Sequence, residues 1–395
     1  MRLSLLLALP VVVIAPVLLQ GAGAQQTMPV YDMVVTATEA ECLEAPVSLI
    51  IPSAPALPLL RQVEPPADVP CQAEDVGDRT KLTWIVRDLP KGESREYQLR
   101  FSTARLDGDL VSVTEEEDAV EVKIGQDLFT RYLTNAGPKP YCWPVIGPTG
   151  EPVTKLPKPG DHPHHRSFWF THDEVNGVGF WHEGENAGKT VHREFEALVS
   201  GPVYGLIRAR NDWVAADGTK VCEDVRELRI YKVQSGRLLD FAITIAATEG
   251  PVEFGDTKEG TFGLRVAESM EQREGGHIRN SQGQEDGDCW GKQATWVDYY
   301  GPVEGETVGI AIMDSPRNFR HPTYWHVRTY GLFAANPFGL RYFIGDKTGK
   351  GKYTIPQGES LTLRYRVYIH EGDTEAAKVA EAYAAYAHPP QARLK

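Results

Sequence analysis

Residues 120–133 read VEVKIGQDLFTRYL, and this stretch indicates the fold class of most of the chain. Apolar and polar residues alternate strictly from Val120 to Ile124, and a second β-rich run, Leu128–Leu133, follows after a short turn that contains glycine. Such alternation is typical of strands with one buried face and one exposed face. The stretch therefore predicts two successive strands of an antiparallel sheet.

The chain downstream repeats this pattern, and no long helical period interrupts it. Runs typical of strands, separated by Gly-rich turns, lie at residues 195–200, 204–213, 225–233, 238–246, 309–313, 340–343 and 361–369. Only the C-terminus looks helical, because the alanine-rich run 375–387 follows a capping Asp373 or Thr374 and precedes Pro389-Pro390. We expect residues 119–395 to form an all-β, large antiparallel two-sheet supersandwich with a C-terminal helix.

The chain upstream predicts a second, smaller unit. Short β-rich runs at residues 47–51, 82–86 and 97–101, with turn residues between them, are typical of a small β-sandwich. We place this domain at residues 25–118, with the acidic run 115–118 as a linker or solvated edge.

The first 24 residues have the features of a secretory signal peptide. Arg2 precedes an apolar run, and Ala22-Gly23-Ala24 matches a small-x-small cleavage site. We therefore expect an exported protein, periplasmic or extracellular, without a membrane span after cleavage. Export permits disulfides, and Cys42 and Cys71 are close enough in sequence to form one, while the odd total of five cysteines leaves at least one thiol unpaired.

The composition limits the function classes. A formal net charge of −13 argues against nucleic acid as a partner, because phosphate binding needs basic patches. The sequence contains no GxSxG, P-loop, GxGxxG or HExxH motif, which argues against a hydrolase elbow, a nucleotide site and a zincin site.

Residues 160–184, GDHPHHRSFWFTHDEVNGVGFWHEG, are the centre of the predicted function. They hold five of the eleven histidines, together with tryptophans, an arginine and several carboxylates. Imidazole beside carboxylate and aromatic surface is the composition of a ligand, metal or acid–base site. If residues 166–172 and 178–182 are extended, they form a hairpin of two aromatic strands with histidines near both ends.

Three interpretations of this stretch compete. In the first, His162, His164 and one of His172 or His182 bind a divalent metal ion, although the glutamate that cupins carry after their HxH pair is missing. In the second, the imidazoles bind a sugar-like ligand and one of them moves a proton. In the third, the histidines only satisfy backbone carbonyls in a packed β corner.

Two later segments are expected to line the same cleft. The turn at residues 254–262 concentrates two carboxylates and a lysine, and Lys258 would lower the pKa of a neighbouring carboxylate. The segment 314–328 again pairs histidine with tryptophan, tyrosine and arginine, and it leads to Asn336.

These considerations give a set of candidate residues. The predicted catalytic residues are His164, His172, His182, Asp256 and Glu259. The predicted substrate-binding residues are His165, Arg166, Trp169, Asn176, Trp181, Lys258, His321, Trp325, His326 and Asn336. In the alternative interpretation, the metal ligands are His162, His164 and His182; no cofactor is firmly indicated otherwise.

Together the motifs GDHPHHRSFWF, NGVGFWHEG, DTKEGTFGLRVAE, TWVDYYGP and NFRHPTYWHVRTYGLFAANPFG resemble the "methane oxygenase PmoA-like" family of secreted proteins from planctomycetes and related bacteria. The resemblance covers roughly residues 120–390, and it implies carbohydrate metabolism rather than methane oxidation. The all-β pattern with clustered histidines and carboxylates is also similar, by analogy, to the galactose-mutarotase-like supersandwich.

The expected function is therefore an enzyme that acts on a sugar or glycan by His/carboxylate acid–base chemistry, as a hydrolase, lyase or epimerase. A metal-dependent enzyme or oxygenase that uses the histidine cluster is the first alternative. A carbohydrate-binding, lectin-like protein without turnover is the second.

Overall fold

The computed structural model describes residues 28–103 and 110–395, and these residues are nearly all β-structure, as the alternating pattern predicts. The expected signal peptide, residues 1–24, lies outside the described residues. In chain order the strands are β1 (Tyr31–Thr36), β2 (Cys42–Pro52), β3 (Leu57–Gln62), β4 (Ala67–Val69), β5 (Cys71–Val76), β6 (Arg79–Leu89), β7 (Ser94–Ser102), β8 (Val111–Glu115), β9 (Ala119–Ile124), β10 (Asp127–Leu133), β11 (Tyr141–Val145), β12 (Phe168–His172), β13 (Lys189–Val199), β14 (Tyr204–Val214), β15 (Lys220–Tyr231), β16 (Arg237–Ala246), β17 (Val252–Phe254), β18 (Gly260–Arg265), β19 (His277–Asn280), β20 (Trp296–Val303), β21 (Glu306–Asp314), β22 (Tyr324–Val327), β23 (Leu332–Asn336), β24 (Tyr353–Ile355), β25 (Ser360–Glu371) and β26 (Gln391–Leu394). The helices are α1 (Leu340–Phe343) and α2 (Val379–Ala387), with short 3₁₀ turns at Glu268–Met270, Gln272–Glu274 and Asp286–Cys289.

The N-terminal strands form the expected small sandwich. One sheet has the order β26-β1-β7-β3-β4 and the other the order β2-β6-β5, and Leu82, Trp84 and Leu99 are fully buried between them. The last strand of the chain, β26, completes this sandwich by pairing antiparallel with β1. The small sandwich is therefore built from both ends of the described chain.

The expected disulfide between Cys42 and Cys71 is absent, and both are free thiols in this structure. They lie on β2 and β5, which flank β6 on opposite sides, and they pair with Leu89 and Trp84 of that strand respectively. Five residues along β6 and two strand spacings separate the two thiols. That separation is well beyond the Cα distance of about 7 Å that a disulfide tolerates.

Two eight-stranded antiparallel sheets form the large sandwich and confirm the predicted fold class. The front sheet has the order β22-β23-β18-β12-β11-β10-β9-β8, and the back sheet has the order β13-β14-β15-β16-β25-β21-β20-β19. Aromatic rings fill the space between them: Phe262 of the front sheet stacks on Tyr365 of the back sheet, with ring centroids 4.7 Å apart. Strand β8 belongs to the front sheet, so the acidic run 115–118 is the exposed turn of a hairpin in this sheet.

The outer face of the back sheet is covered by the small sandwich and by α2. Ile85, Tyr204, Met313 and Val379, which come from all three parts, share one buried cluster. On the outer face of the front sheet, the helical turn α1 packs at the β22 edge, where Phe343 contacts Tyr324 and His326. That face carries the candidate site.

Two local predictions differ from the structure. The run Leu340–Phe343, expected to be a strand, is a single helical turn, because a short apolar run does not distinguish strand from helix and Phe343 reaches its buried position from a helix. The C-terminal helix begins at Val379 rather than at residue 375. Asp373 caps the preceding turn instead, and Lys378, with φ of 52°, separates that turn from the helix.

A buried ion pair links the back sheet to the segment that precedes α2. His370 Nε2 lies 3.1 Å from Asp298 Oδ1, and Thr374 donates a hydrogen bond of 2.6 Å to the other carboxylate oxygen. Burial alone would lower the pKa of His370, but the Asp298 carboxylate outweighs burial, and the pKa lies above its usual value.

This pair predicts a pH-dependent stability. The folded protein holds the His370 proton more tightly than the unfolded chain does. The stabilisation that this pair gives the folded protein is therefore complete below about pH 6.5 and is lost as the pH rises through the folded pKa of His370. The free energy of unfolding, measured by urea denaturation from pH 6 to 9, should fall more steeply with pH in the native protein than in His370→Gln. Parallel curves for the two proteins would contradict this assignment.

Candidate active site

The candidate site lies on the outer face of the front sheet. Strand alternation turns Phe168 and Phe170 of β12 into the core and leaves Trp169 on the other face. Arg265 of β18 and His326 of β22 lie on that same outer face, since their strand neighbours Leu264 and Val327 belong to the core. Residues from segments far apart in sequence therefore meet on one surface.

Two tryptophans form the floor of the site. Trp169 and Trp181 are 2% and 0% exposed, and their ring centroids are 5.3 Å apart. A side chain at Gly263 would bring its Cβ to 2.8 Å from the Trp169 ring, so glycine is needed opposite this tryptophan. Neither indole N–H has an acceptor within the described part of the chain. Because both rings are covered, neither tryptophan, although predicted to bind substrate, offers an exposed ring face to a ligand.

Four histidines lie above this floor. The ring centroid of His164 lies 4.4 Å from that of His165 and 4.6 Å from that of His182, while His162 stacks on His165 at 4.7 Å. His165 also stacks on Trp169 at 5.7 Å. The expected hairpin is wrong in its second half, because residues 179–182 form no strand, and His182 lies against His164.

The turn before β18 brings a carboxylate to the cluster. Glu259 Oε2 lies 3.9 Å from His326 Nδ1, and Glu259 Oε1 contacts the Lys258 ammonium. Burial alone would raise the pKa of Glu259, but Lys258, His326 and His182 outweigh it and hold the pKa below its usual value. The predicted group of His164, His182, Glu259 and His326 is thus brought together.

Asp173 is a carboxylate that the sequence reasoning did not assign. The backbone N–H of Asp173 donates to the Glu259 carbonyl at 2.8 Å, one step beyond the His172–Gly260 pair of β12 and β18. Residues directly opposite each other on neighbouring strands place their Cβ atoms about 5 Å apart. Burial and the nearby Glu259 raise the pKa of Asp173, against the effect of His182, whose Nδ1 lies 3.8 Å from Asp173 Oδ1.

Burial keeps the inner histidines neutral. Desolvation, with help from His182, Lys139 and His162, lowers the pKa of His164 to about 4. Desolvation also lowers the pKa of His326 to about 4 and holds that of His165 further below its usual range. A neutral imidazole offers one donor and one acceptor. At neutral pH these rings are hydrogen-bonding groups rather than cations.

Ion pairs hold the covering loops in place. Arg166 makes two hydrogen bonds of 2.7 and 2.6 Å to Glu183, and Lys139 donates to the same carboxylate at 3.1 Å. Arg265 contacts both oxygens of Asp161 at 3.1 Å, and its guanidinium lies over the Tyr330 ring. Arg166, expected to orient substrate, is therefore fully engaged in fixing the loop that carries His182.

The structure places six other candidates outside the cluster. His172 is fully buried on the core side of β12, where Nε2 lies 2.9 Å from the Gly255 carbonyl. Trp325 is also on the core side, and it donates to the Ala294 carbonyl. The remaining four serve local structure. Asn176 forms hydrogen bonds with the Pro251 carbonyl and the Glu253 backbone N–H, and Asp256 accepts a hydrogen bond from the Arg341 backbone N–H. His321 pairs with Asp314, and Asn336 donates hydrogen bonds to the carbonyls of Thr257 and Lys258.

The histidines do not have the arrangement expected of a metal site. Among residues 28–103 and 110–395, no group of three or more His, Cys, Asp or Glu side chains has a metal-binding arrangement. His162, His164 and His182, the metal ligands of the alternative prediction, therefore do not form such a group. His162 instead stacks between His165 and the Tyr330 ring, whose centroid is 5.3 Å away.

Comparisons with known proteins place the chain in a family. No curated protein matches the sequence. Among solved structures, the chain is similar to a protein in the glycosyl hydrolase family 38 from Enterococcus faecalis, with 12% sequence identity and a TM-score of 0.41. That similarity covers 93% of this chain but 47% of the other, so the chain spans about half the length of that protein, and a likeness this weak carries no functional argument.

No helix in the described part of the chain is long and apolar enough to cross a membrane.

A family model matches residues 119–384, which comprise the large sandwich from β9 to most of α2 and all the clustered site residues. The chain belongs to this family, DUF6807, a family of unknown function.

Proposed function

We propose that the protein is an exported enzyme that acts on a neutral sugar or glycan by acid–base chemistry at the Asp173–Glu259 pair. Glu259 would take a proton from the substrate or from water, and Asp173 would donate one to the oxygen that leaves. These roles suit hydrolysis or elimination. The resemblance to the PmoA-like family, with its implied link to carbohydrate metabolism, agrees with this proposal.

The opposite pKa shifts of the two carboxyl groups carry the proposal. The pKa of Glu259 is lowered and that of Asp173 is raised, although the two residues are cross-strand neighbours. Two titratable groups whose environments push their pKa values apart are the usual basis of paired acid and base roles. His182, with a side chain 56% exposed, lies beside Asp173 and marks where a ligand would enter.

The charge balance of the site favours an uncharged ligand. Arg166 and Lys139 are paired with Glu183, Arg265 with Asp161, and Lys258 with Glu259. The neutral imidazoles of the cluster present both donors and acceptors, which complement the hydroxyl groups of a polyol. A strongly anionic ligand would find no free cation among these groups.

An exposed apolar rim beside the cluster offers the aromatic surface that the buried tryptophans do not. Tyr342 and Ile344 are 46% and 58% exposed, and the Tyr342 ring lies 5.9 Å from the Lys258 ammonium. The C–H face of a sugar can pack on an exposed tyrosine ring while its hydroxyls face the carboxylates.

Tyr342→Ala is therefore expected to weaken substrate binding about tenfold, mainly in KM, because it removes the aromatic contact next to the carboxylates. Tyr342→Trp should restore it. Steady-state kinetics of the two variants test this assignment, with thermal unfolding as the control for folding. A KM for Tyr342→Ala equal to that of the native protein would contradict the role of the rim.

The proposed activity is tested by incubating the mature protein with a panel of neutral oligosaccharides and following the products by chromatography. The proposal predicts that at least one neutral glycan is converted and that Asp173→Asn converts it more slowly. Binding of a glycan without conversion by the native protein would identify a lectin-like protein instead. Conversion of uronic-acid glycans alone would contradict the neutral substrate class.

A further inference from the structure

Arg328 lies on the outer face of the front sheet, and the proposed acid–base pair does not use it. Trp325 and Val327 of β22 pack in the core, so strand alternation places His326 and Arg328 on the outer face, about 7 Å apart along the strand. The Arg328 backbone N–H donates to the Leu332 carbonyl at 2.7 Å, which extends the pairing of β22 with β23 by one residue. Arg328 is therefore the next outward-facing residue after His326.

The side chain of Arg328 forms no hydrogen bond or ion pair within residues 28–103 and 110–395. Its Nε is buried without an acceptor, whereas its two terminal nitrogens are not buried. Arg166 and Arg265, by contrast, are each held by a carboxylate. Because a guanidinium carries five N–H donors, Arg328 keeps donors for a ligand.

Aromatic rings hold the Arg328 guanidinium in place. Its central carbon lies 4.8 Å from the ring centroid of Trp290, which is partly exposed. Trp290 packs edge-to-face on Phe343 at 5.8 Å, and Phe343 stacks on Tyr324 at 5.6 Å and lies 6.5 Å from His326. A guanidinium that is already stacked on a ring loses little freedom when it forms hydrogen bonds.

The charge of Arg328 acts on groups that Glu259 also affects. Burial lowers the pKa of His326, the Glu259 carboxylate opposes burial, and the Arg328 charge adds to it. Burial raises the pKa of the Tyr330 hydroxyl, which the Arg328 charge opposes and the carboxylates of Glu259 and Asp161 reinforce. Arg328 and the proposed general base therefore lie near the same two side chains, His326 and Tyr330.

We propose that Arg328, stacked on Trp290, forms a second sugar-binding subsite, which binds hydroxyl groups of the unit next to the one that reacts. This inference rests on the proposed function and narrows its substrate class to oligosaccharides of at least two units. The guanidinium fork can donate to two neighbouring oxygens at once. The carboxylates of Glu259 and Asp161 act on the same surface and disfavour an anionic unit there, so hydroxyl oxygens are the acceptors that suit the subsite.

The test is the dependence of kcat/KM on substrate length, measured with neutral methyl glycosides of one, two and three units in the gluco, manno and xylo series. In the series that the native protein converts, one added unit should raise kcat/KM about tenfold or more. Arg328→Met removes the donors, so the ratio of kcat/KM with and without that unit should fall close to one. Arg328→Lys keeps the charge without the fork and should recover only part of the ratio.

A control and a second variant make the result decisive. Arg317→Met removes an exposed arginine from the loop between β21 and β22 and should keep the native ratio. Trp290→Leu removes the ring that holds the guanidinium and should lower the ratio, which preserves the test if thermal unfolding shows that Arg328→Met does not fold.

Two results would overturn the second subsite while leaving the proposed function intact. One is a native protein that converts a glycoside with a kcat/KM independent of its length. The other is a native ratio that persists in both Arg328→Met and Trp290→Leu. A native protein that converts no glycoside of any length would overturn the subsite and the proposed function together.

Discussion

Replacing Glu259 by Gln is expected to lower kcat on the glycan substrate by at least about 100-fold, the usual contribution of a positioned general base. The amide keeps the size of the side chain but cannot accept the proton, so KM should change little. The measurement is steady-state kinetics with the glycan that the native protein converts. Glu253→Gln is the control, because Glu253 lies on β17, shortly before Glu259 in the chain, is about half exposed and pairs with Lys352.

A kcat for Glu259→Gln within a few-fold of the native value would show that Glu259 is not the general base. Because Lys258 and His326 would lose their carboxylate partner, thermal unfolding of the variant must accompany the kinetics. A native-like unfolding temperature with lost turnover is the result that separates a catalytic role from a structural one.

Replacing Asp224 by Asn is expected to destabilise the protein by about 3–5 kcal/mol, because it leaves a buried guanidinium uncompensated. Asp224 is fully buried between the sheets and accepts four hydrogen bonds: two of 3.0 Å from Arg226, one of 2.8 Å from Asn211 and one of 2.6 Å from Trp213. Urea unfolding followed by tryptophan fluorescence measures the loss.

Glu194→Gln is the control for this variant, since Glu194 pairs with Arg210 on the surface of the same sheet and should contribute less than about 1 kcal/mol. The double variant Asp224→Asn with Arg226→Gln should recover part of the loss, because no buried charge remains. A single Asp224→Asn variant as stable as Glu194→Gln would show that the buried pair is not needed for stability.

Local alternation was sufficient to predict the fold class. The runs 120–124 and 128–133 are strands β9 and β10, and most of the later runs are strands of the two large sheets. The sequence could not show that β26 returns to the small sandwich, because a short C-terminal run carries no signal for its distant partner β1. The same limit led to the expected Cys42–Cys71 disulfide, since closeness in sequence does not reveal the strand that separates the two thiols.

The sequence predicted that the three candidate segments would meet, but not where each candidate side chain would lie. Alternation within 166–172 correctly puts Trp169 and His172 on opposite faces, which is why His172 leaves the cluster. Asp173 was missed because its importance comes from lying opposite Glu259 across two strands that are distant in sequence, and only the register of β12 and β18 reveals this. Composition alone also could not show that Trp169 is covered and Tyr342 exposed.

The pH dependence of kcat/KM for the native protein and for Asp173→Asn tests the acid–base pair most directly. The proposed roles predict a bell-shaped profile for the native protein, with an acid limb where Glu259 becomes protonated and an alkaline limb where Asp173 loses its proton. Asp173→Asn should be slower and should lack the alkaline limb. A native profile without an acid limb, or an alkaline limb that survives in Asp173→Asn, would contradict the proposed roles of the two carboxyl groups.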